Sequence, residues 1–138
     1  MTLTEPGSAL LAEGRAILNA VAAAERRTRQ AATDDPKVVP GAKAGASGEL
    51  PAKLRDAYAA EPGAVGVELV LCESQPQLLL RDGQADMALL HEPYDSTVGF
   101  DTEVLHSQDQ IAVTTVIAWP PHSRSRAVAD LIRVATRV

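Results

Sequence analysis

The sequence predicts an α/β fold in which one long amino-terminal helix precedes a single lobe built on a mostly parallel sheet. Two observations lead to this prediction. Residues 4–32 show helical periodicity without a break, and after residue 36 short apolar runs alternate with amphipathic segments. Strands that alternate with helices predict right-handed βαβ units. We therefore expect two parts, a helix over residues 1–33 and an α/β lobe over residues 37–138.

Composition limits the classes of function. The chain has 138 residues, of which 46% are hydrophobic and 22% charged, as is typical of a soluble globular protein. A net charge of −5 argues against an extended nucleic-acid-binding surface. The single cysteine, Cys72, cannot form an internal disulfide and fits a reducing compartment. Since no apolar run approaches the roughly 18–20 residues of a membrane span and no signal peptide is visible, we expect a cytoplasmic protein without a membrane partner.

The first helix carries a long apolar stripe. Thr4 is the predicted N-cap, and Pro6 is tolerated in the first turn because no intrahelical donor is lost there. Apolar residues recur every seven positions, with a valine on the adjoining row, which is typical of a helix that pairs with another helix. The predicted dimer interface consists of Leu3, Leu10, Ile17, Val21 and Ala24. The alternative is a helix whose stripe lies on its own lobe, but the stripe is longer than a small core usually covers.

The lobe elements follow the helix in alternation. The segment Thr33 to Pro36 ends the helix, and Pro40-Gly41 is expected to close the first strand. Ser123 is the predicted cap of the last helix. The predicted strands are Lys37–Val39, Val65–Cys72, Met87–Leu90, Thr102–Leu105 and Gln110–Trp119, and the predicted helices are Leu50–Ala60, Gln75–Arg81 and a carboxyl-terminal helix with Val128, Leu131, Ile132 and Ala135.

The amino-terminal residues resemble a known junction. Leu3, Thr4 and Gly7 match a turn, and a long amphipathic helix follows it with Leu10-Leu11 and Ile17-Leu18 one heptad apart. This pattern resembles the point at which the winged DNA-binding domain of LysR-type transcriptional regulators ends and their dimerising linker helix begins. The resemblance implies that the winged helix-turn-helix is absent from this chain.

The remainder of the chain resembles the effector-binding domain of the same family, and the resemblance covers nearly the whole sequence. The exit strand runs into the last strand near Thr114-Thr115, which implies one periplasmic-binding-protein-like lobe without the second. The matching segments, in order, are Leu50-Pro51 with Leu54, Glu73-Ser74, Leu79 to Gly83, Asp86 to Leu90, Glu103 to Leu105, Gln110 to Val113 and Ile117 to Trp119.

The resemblance also implies a small-molecule effector. Ala42 stands where the family often has a Ser or Thr that holds the inducer, and a methyl group cannot donate that hydrogen bond. Lys43, Ser47 and Ser74 are the remaining candidate effector-binding residues, because they lie near strand ends where α/β folds bind ligands. For each of them, however, a role as a helix cap or in a solvated turn is the favoured interpretation.

No motif indicates catalysis, a cofactor or a metal site. His91, His106 and His122 are scattered without metal-ligand spacing. Cys72 and His91 could form a nucleophile and base at neighbouring strand ends, although a buried structural thiol is favoured. Gly45 and Gly48 lack the Lys-Ser/Thr of a phosphate loop, and the carboxylates of Asp34, Asp35, Asp82 and Asp86 are interpreted as caps and turns. We do not expect an enzyme.

Two functions from different classes remain. The first is a LysR-type transcriptional regulator fragment or truncated relative that acts by dimerising, with itself or with a full-length relative, and that does not bind DNA directly. The second is a small-molecule-binding module in which the surviving lobe keeps an effector site. A decayed gene, or a gene product whose DNA-binding part is encoded upstream of Met1, is a third interpretation.

Overall fold

The structure, a computed structural model, describes residues 2–108 and 113–138, apart from the side chains of residues 106–108. It confirms the predicted α/β class with a long amino-terminal helix. The helices are α1 (Glu5–Ala32), α2 (Leu50–Ala59), α3 (Pro76–Arg81) and α4 (Arg126–Ala135). The strands are β1 (Lys37–Val38), β2 (Pro40–Lys43), β3 (Gly66–Val67), β4 (Val70–Cys72), β5 (Met87–Glu92), β6 (Asp101–Gln108) and β7 (Val113–Trp119).

The main sheet is mixed. Its strand order is β4-β2-β5-β7-β6, with β2 parallel to both β4 and β5 and with β7 antiparallel to both β5 and β6. A second, two-stranded sheet pairs β1 with β3 in parallel. Parallel pairing therefore accounts for the amino-terminal half of the lobe, and the long strand β7 lies inside the sheet between β5 and the edge strand β6.

The core is divided between the two faces of the sheet. Strand β5 is buried on both sides, so Met87 and Leu89 point to one face while Ala88 and Leu90 point to the other. Helices α2 and α4 cover the first face, and α3 covers the second. Tyr58 is fully buried in α2, and its hydroxyl accepts a hydrogen bond from the backbone N–H of Val65. That bond satisfies the polar end of the largest side chain in the core.

The predicted strand end at Pro40-Gly41 is wrong. The chain is interrupted one residue earlier, at Val39, whose N–H donates to the carboxylate of Asp86. It then continues as β2, in which Pro40 lies opposite Met87 and Gly41 opposite both Val70 and Ala88. A Cβ on Gly41 would lie 2.7 Å from the side chain of Leu79, so the glycine allows α3 to approach the strand rather than making a turn.

The bounds of α1 agree with the prediction. The hydroxyl of Thr4 accepts a hydrogen bond from the N–H of Gly7 at 3.2 Å, which is the expected N-cap contact. The helix ends at Ala32 with Thr33 as its C-cap. No helix among the described residues is long and apolar enough to cross a membrane.

Two other boundaries differ from the prediction. The segment Val65–Cys72 forms two strands, because β3 pairs with β1 and β4 pairs with β2. The interruption at Val39 between β1 and β2 therefore also divides this segment. The cap of α4 is Ser125, whose hydroxyl accepts from the N–H of Val128, and Ser123 lies in the preceding turn. The predicted start of the last strand at Gln110 lies outside the described residues.

Helix α1 is anchored on the lobe through the turn that follows α3. The backbone of Gly83 lies against Ala23, and Asn19 donates a hydrogen bond to the carboxylate of Asp82 at 3.0 Å. Arg26 donates to the carbonyl oxygen of Gly83 at 2.6 Å and to a carboxylate oxygen of Asp86 at 2.8 Å. These contacts determine which face of α1 meets the lobe.

We predict that Gly83→Ala weakens this anchor more than Gly45→Ala weakens the loop it occupies. Both glycines have positive φ, so both variants carry the left-handed backbone penalty of roughly 1–2 kcal/mol. Only at position 83 would the new Cβ overlap Ala23, at 2.3 Å, whereas nothing lies within 4 Å at position 45. Gly83→Ala should therefore lower the free energy of unfolding in urea by roughly 1–3 kcal/mol more than Gly45→Ala does. Limited proteolysis should also cut α1 faster in Gly83→Ala. Equal losses of unfolding free energy in the two variants would contradict the close contact between Gly83 and Ala23.

Candidate functional site

The carboxyl edge of the sheet, where the parallel strands β2, β4 and β5 end, brings polar side chains together. Lys43 is the last residue of β2 and lies opposite Cys72 at the end of β4. Ser47 lies in the turn that leads from β2 to α2, and His91 occupies the end of β5. The candidates Lys43 and Ser47 therefore lie near the ends of parallel strands, and their role in effector binding stays a prediction.

The side chains of Ser47, His91 and Asp95 form a polar cluster at this edge. The hydroxyl oxygen of Ser47 lies 3.3 Å from Nε2 of His91. The backbone N–H of His91 donates to Oδ2 of Asp95 at 2.8 Å, and the N–H of Asp95 donates to the carbonyl of His91. His91 is buried, while Asp95 and Ser47 are half-buried. The cluster thus presents one partly accessible hydroxyl that is backed by a buried imidazole.

The order of these groups is that of a nucleophile, a base and an orienting carboxylate, but the distances do not complete such a site. Nδ1 of His91 and Oδ2 of Asp95 are 3.8 Å apart, which is too far for a hydrogen bond. The carboxylate instead accepts the backbone N–H and holds the turn after β5. The arrangement is suited to hydrogen bonding with a bound molecule, through the Ser47 hydroxyl, rather than to activating that hydroxyl for attack.

The other predicted residues are less closely connected. Lys43 and Ser74 are exposed, and no hydrogen bond joins either side chain to the cluster in the part of the chain that the structure describes. Cys72 is half-buried and packs near the core of the α3 face. It cannot serve His91 as a nucleophile, because β2 separates β4 from β5 and two strand spacings amount to about 10 Å.

Ala42 does not face a ligand. It is fully buried within β2, opposite Leu71, and belongs to the core beneath α2 and α4. The missing hydroxyl at this position is therefore no argument against effector binding. A hydroxyl is present at Ser47 instead, five residues later and on the accessible side of the same edge.

His91 is considered from the sequence only as a base for Cys72, and Asp95 is not among the predicted site residues. One local signal was available: a histidine directly follows a fully apolar run, and an aspartate stands four residues later beyond Pro93. The contact with Ser47 joins residues 44 positions apart, and no local pattern reports it. Among the described residues, no group of histidine, cysteine or carboxylate side chains could hold a metal ion.

A second candidate surface is the predicted α1 stripe, Leu3, Leu10, Ile17, Val21 and Ala24. Its four large side chains are exposed by 53%, 74%, 62% and 60%, in chain order. The anchoring residues Asn19, Ala23 and Arg26 lie on the opposite side of the helix, since successive residues turn by about 100°. The stripe therefore does not lie on its own lobe, and the alternative of a helix that buries it there does not describe this structure.

Comparisons with protein-family models and with curated proteins give no match. Among solved structures, a cysteine-to-serine mutant of OxyR from Corynebacterium glutamicum with bound hydrogen peroxide is similar, with a TM-score of 0.56 and 12% identity, over 98% of this chain and 78% of that chain. The oxidized form of the same OxyR has a TM-score of 0.43 and 20% identity, over 76% of this chain and 34% of that chain. CrgA from Neisseria meningitidis, a LysR-type transcriptional regulator, has a TM-score of 0.34 and 22% identity, over 76% of this chain and 35% of that chain.

The similarity to the OxyR mutant, which extends over 98% of this chain, confirms the predicted resemblance at the level of fold. The chain spans about a third of the length of the oxidized OxyR and CrgA chains. At 12% identity, the similarity to the OxyR mutant shows a shared architecture and does not extend to the ligand or the activity of that protein.

We predict that Asp95→Ala destabilises the carboxyl edge. The substitution removes the acceptor of the buried His91 N–H, and an unpaired buried donor costs about 1–3 kcal/mol. Asp101→Ala is the matched control, because Asp101 is an exposed carboxylate at the start of β6 and should change stability by less than about 0.5 kcal/mol. Urea unfolding of both variants measures the difference, and an unchanged midpoint for Asp95→Ala would contradict the assigned contact.

Proposed function

We propose that this chain is a regulatory module of LysR type that acts by dimerisation, with residues 1–33 as the dimerising linker helix and residues 37–138 as an effector-binding lobe. The observation that supports the proposal most strongly is the division of α1 into two faces. One face is anchored on the lobe through Ala23 and Arg26, and the opposite face carries the exposed apolar stripe.

The anchor occupies only the second half of the helix. The hydrogen bonds between α1 and the lobe, among the described residues, come from Asn19, Arg26 and Gln30. Residues 5–18 precede them and extend for about 20 Å at 1.5 Å per residue. A helical segment of that length is only marginally stable in water without packing, so a partner helix is the expected source of stability.

The stripe offers a large apolar contribution to such pairing. Burying a Leu or Ile side chain is worth roughly 1.5–3 kcal/mol, and Leu10 and Ile17 are both more than half exposed in the single chain. Pairing of two copies is the simplest way to cover this surface. A full-length LysR-type relative would present an equivalent linker helix and is the second partner that we propose.

A second function, effector binding at the carboxyl edge, is supported by the Ser47–His91 contact. The hydroxyl of Ser47 is accessible, and the imidazole of His91 holds it at the strand end where ligands of α/β folds bind. We propose this edge as the effector site of the lobe, with Lys43 and Ser74 at its rim. The two functions are compatible, because the edge and the stripe lie on different parts of the molecule.

We predict that replacing Leu10 and Ile17 together by Lys converts dimers into monomers. The double variant removes two apolar contacts and places like charges across the helix pair, and the lobe should remain folded. The matched control is Ala12→Lys with Ala22→Lys, which adds the same charge at exposed positions of α1 outside the stripe. Sedimentation velocity at tens of micromolar measures the outcome. A monomer for the unmodified chain, or equal effects of the two double variants, would contradict the proposal.

We also predict that this chain alone does not bind duplex DNA specifically. Its net charge is −5, and phosphate contacts by Lys and Arg supply most of the affinity of DNA-binding proteins. Fluorescence anisotropy with labelled duplexes at physiological salt should show no sequence-dependent binding below micromolar concentration. Sub-micromolar binding that discriminates between sequences would show that the lobe or α1 contacts DNA itself.

A further inference from the structure

The docking of α1 leaves a cleft of about 690 Å³ between the helix and the lobe. Its walls include Ala16, Ala20 and Ala23 on the helix and Leu80 and Val128 on the lobe. We call this space the α1 cleft. Because Lys37 and Asp86 line it just where β1 and β5 begin, it lies at the amino edge of the parallel strands, at the other end of the sheet from Ser47 and His91.

The charge of the α1 cleft is opposite to that of the chain. Five lysine and arginine side chains line it, whereas Asp86 is its sole lining carboxylate among the described residues, in a chain of net charge −5. The carboxylate is already paired, since it accepts hydrogen bonds from Arg26 and from the backbone N–H of Val39. The cationic residues are Arg26, Arg27, Lys37, Arg81 and Arg124.

Four of these cations have no acidic partner. No carboxylate in residues 2–108 or 113–138 lies within 4 Å of the charged groups of Arg27, Lys37, Arg81 or Arg124, the undescribed side chains of 106–108 aside. Among the described residues, two other cationic side chains, Arg15 and Lys43, also have no carboxylate partner, whereas Arg29, Arg55, Arg133 and Arg137 each pair with one. Unpaired positive charge is therefore concentrated where a cavity of ligand size already exists.

We propose that the α1 cleft binds a small amphipathic anion, an organic acid with an aliphatic or aromatic body. The methyl groups of the alanines, with Leu80 and Val128, receive the apolar body, and the guanidinium groups of Arg27 and Arg124 receive the acidic head by charge-assisted hydrogen bonds. The volume falls within the roughly 300–1,000 Å³ of small-molecule sites. A bound anion joins α1 to the lobe, so occupancy of the cleft stabilises the docked position of the helix.

Decanoate is a suitable probe, because it combines a carboxylate with an apolar chain and stays monomeric at millimolar concentration. Isothermal titration calorimetry of the full chain should give saturable binding that weakens as the salt concentration rises. The double variant Arg27→Gln with Arg124→Gln should reduce the affinity at least tenfold. The control double variant Arg15→Gln with Arg55→Gln makes the same change in net charge outside the lining and should leave the affinity unchanged.

A third variant separates volume from charge. Ala20→Phe fills the α1 cleft from its helical wall, at a position that is solvent-exposed in the unmodified chain, and should abolish decanoate binding while the melting temperature stays within a few degrees. Absence of saturable binding by the unmodified chain overturns the proposal, as do equal losses in the two double variants. If Arg27→Gln with Arg124→Gln changes sedimentation or duplex affinity but not decanoate binding, the cleft receives a macromolecule instead and the proposal is also overturned.

Discussion

One carboxylate, that of Asp86, joins three parts of this fold. One of its oxygens accepts a hydrogen bond from Arg26 of α1, and the other accepts the backbone N–H of Val39 between β1 and β2. The N–H of Asp86 in turn donates to the carbonyl of Val39 at 2.7 Å, directly before β5 begins. This side chain therefore links the first strand, the central strand and the long helix, and removing it would leave the half-buried guanidinium of Arg26 without its carboxylate partner.

This anchor decides what the rest of the molecule presents. With Arg26 and Ala23 held against the turn at Gly83, the opposite side of α1 can only face solvent or a partner. The same docking encloses the basic α1 cleft at the amino edge of the sheet. The polar cluster around Ser47 and His91 stands at the other edge, where it is independent of the helix. The apolar stripe of α1, the α1 cleft and the candidate effector site thus occupy three separate places on the molecule.

Local patterns were sufficient to predict α1 and the order of the elements. Three features depend only on neighbours in sequence: the Thr4 cap, the end of the helix at Ala32 and the apolar run of β5. The predicted position of each agrees with the structure to within a few residues. The resemblance to LysR-type regulators predicted the architecture, and the similarity to solved structures supports it.

Contacts between distant residues could not be predicted in this way. Pro40-Gly41 has the composition of a turn, yet β2 continues through it because Gly41 admits Leu79 from α3. The sequence around Asp86 indicates only a turn carboxylate, since nothing near it in sequence indicates Arg26, which is 60 residues away. The Ser47–His91 contact was missed for the same reason, although Ser47 itself was a candidate.

Isotope-filtered NOE spectroscopy on a mixture of ¹³C-labelled and unlabelled chains tests the division of α1 into two faces most directly. We predict intermolecular NOEs at the methyl groups of Leu10, Ile17 and Val21, and only intramolecular NOEs between the Ala23 methyl group and Gly83. Intermolecular NOEs at Ala23, or NOEs from Leu10 and Ile17 to the lobe of their own chain, would contradict this prediction.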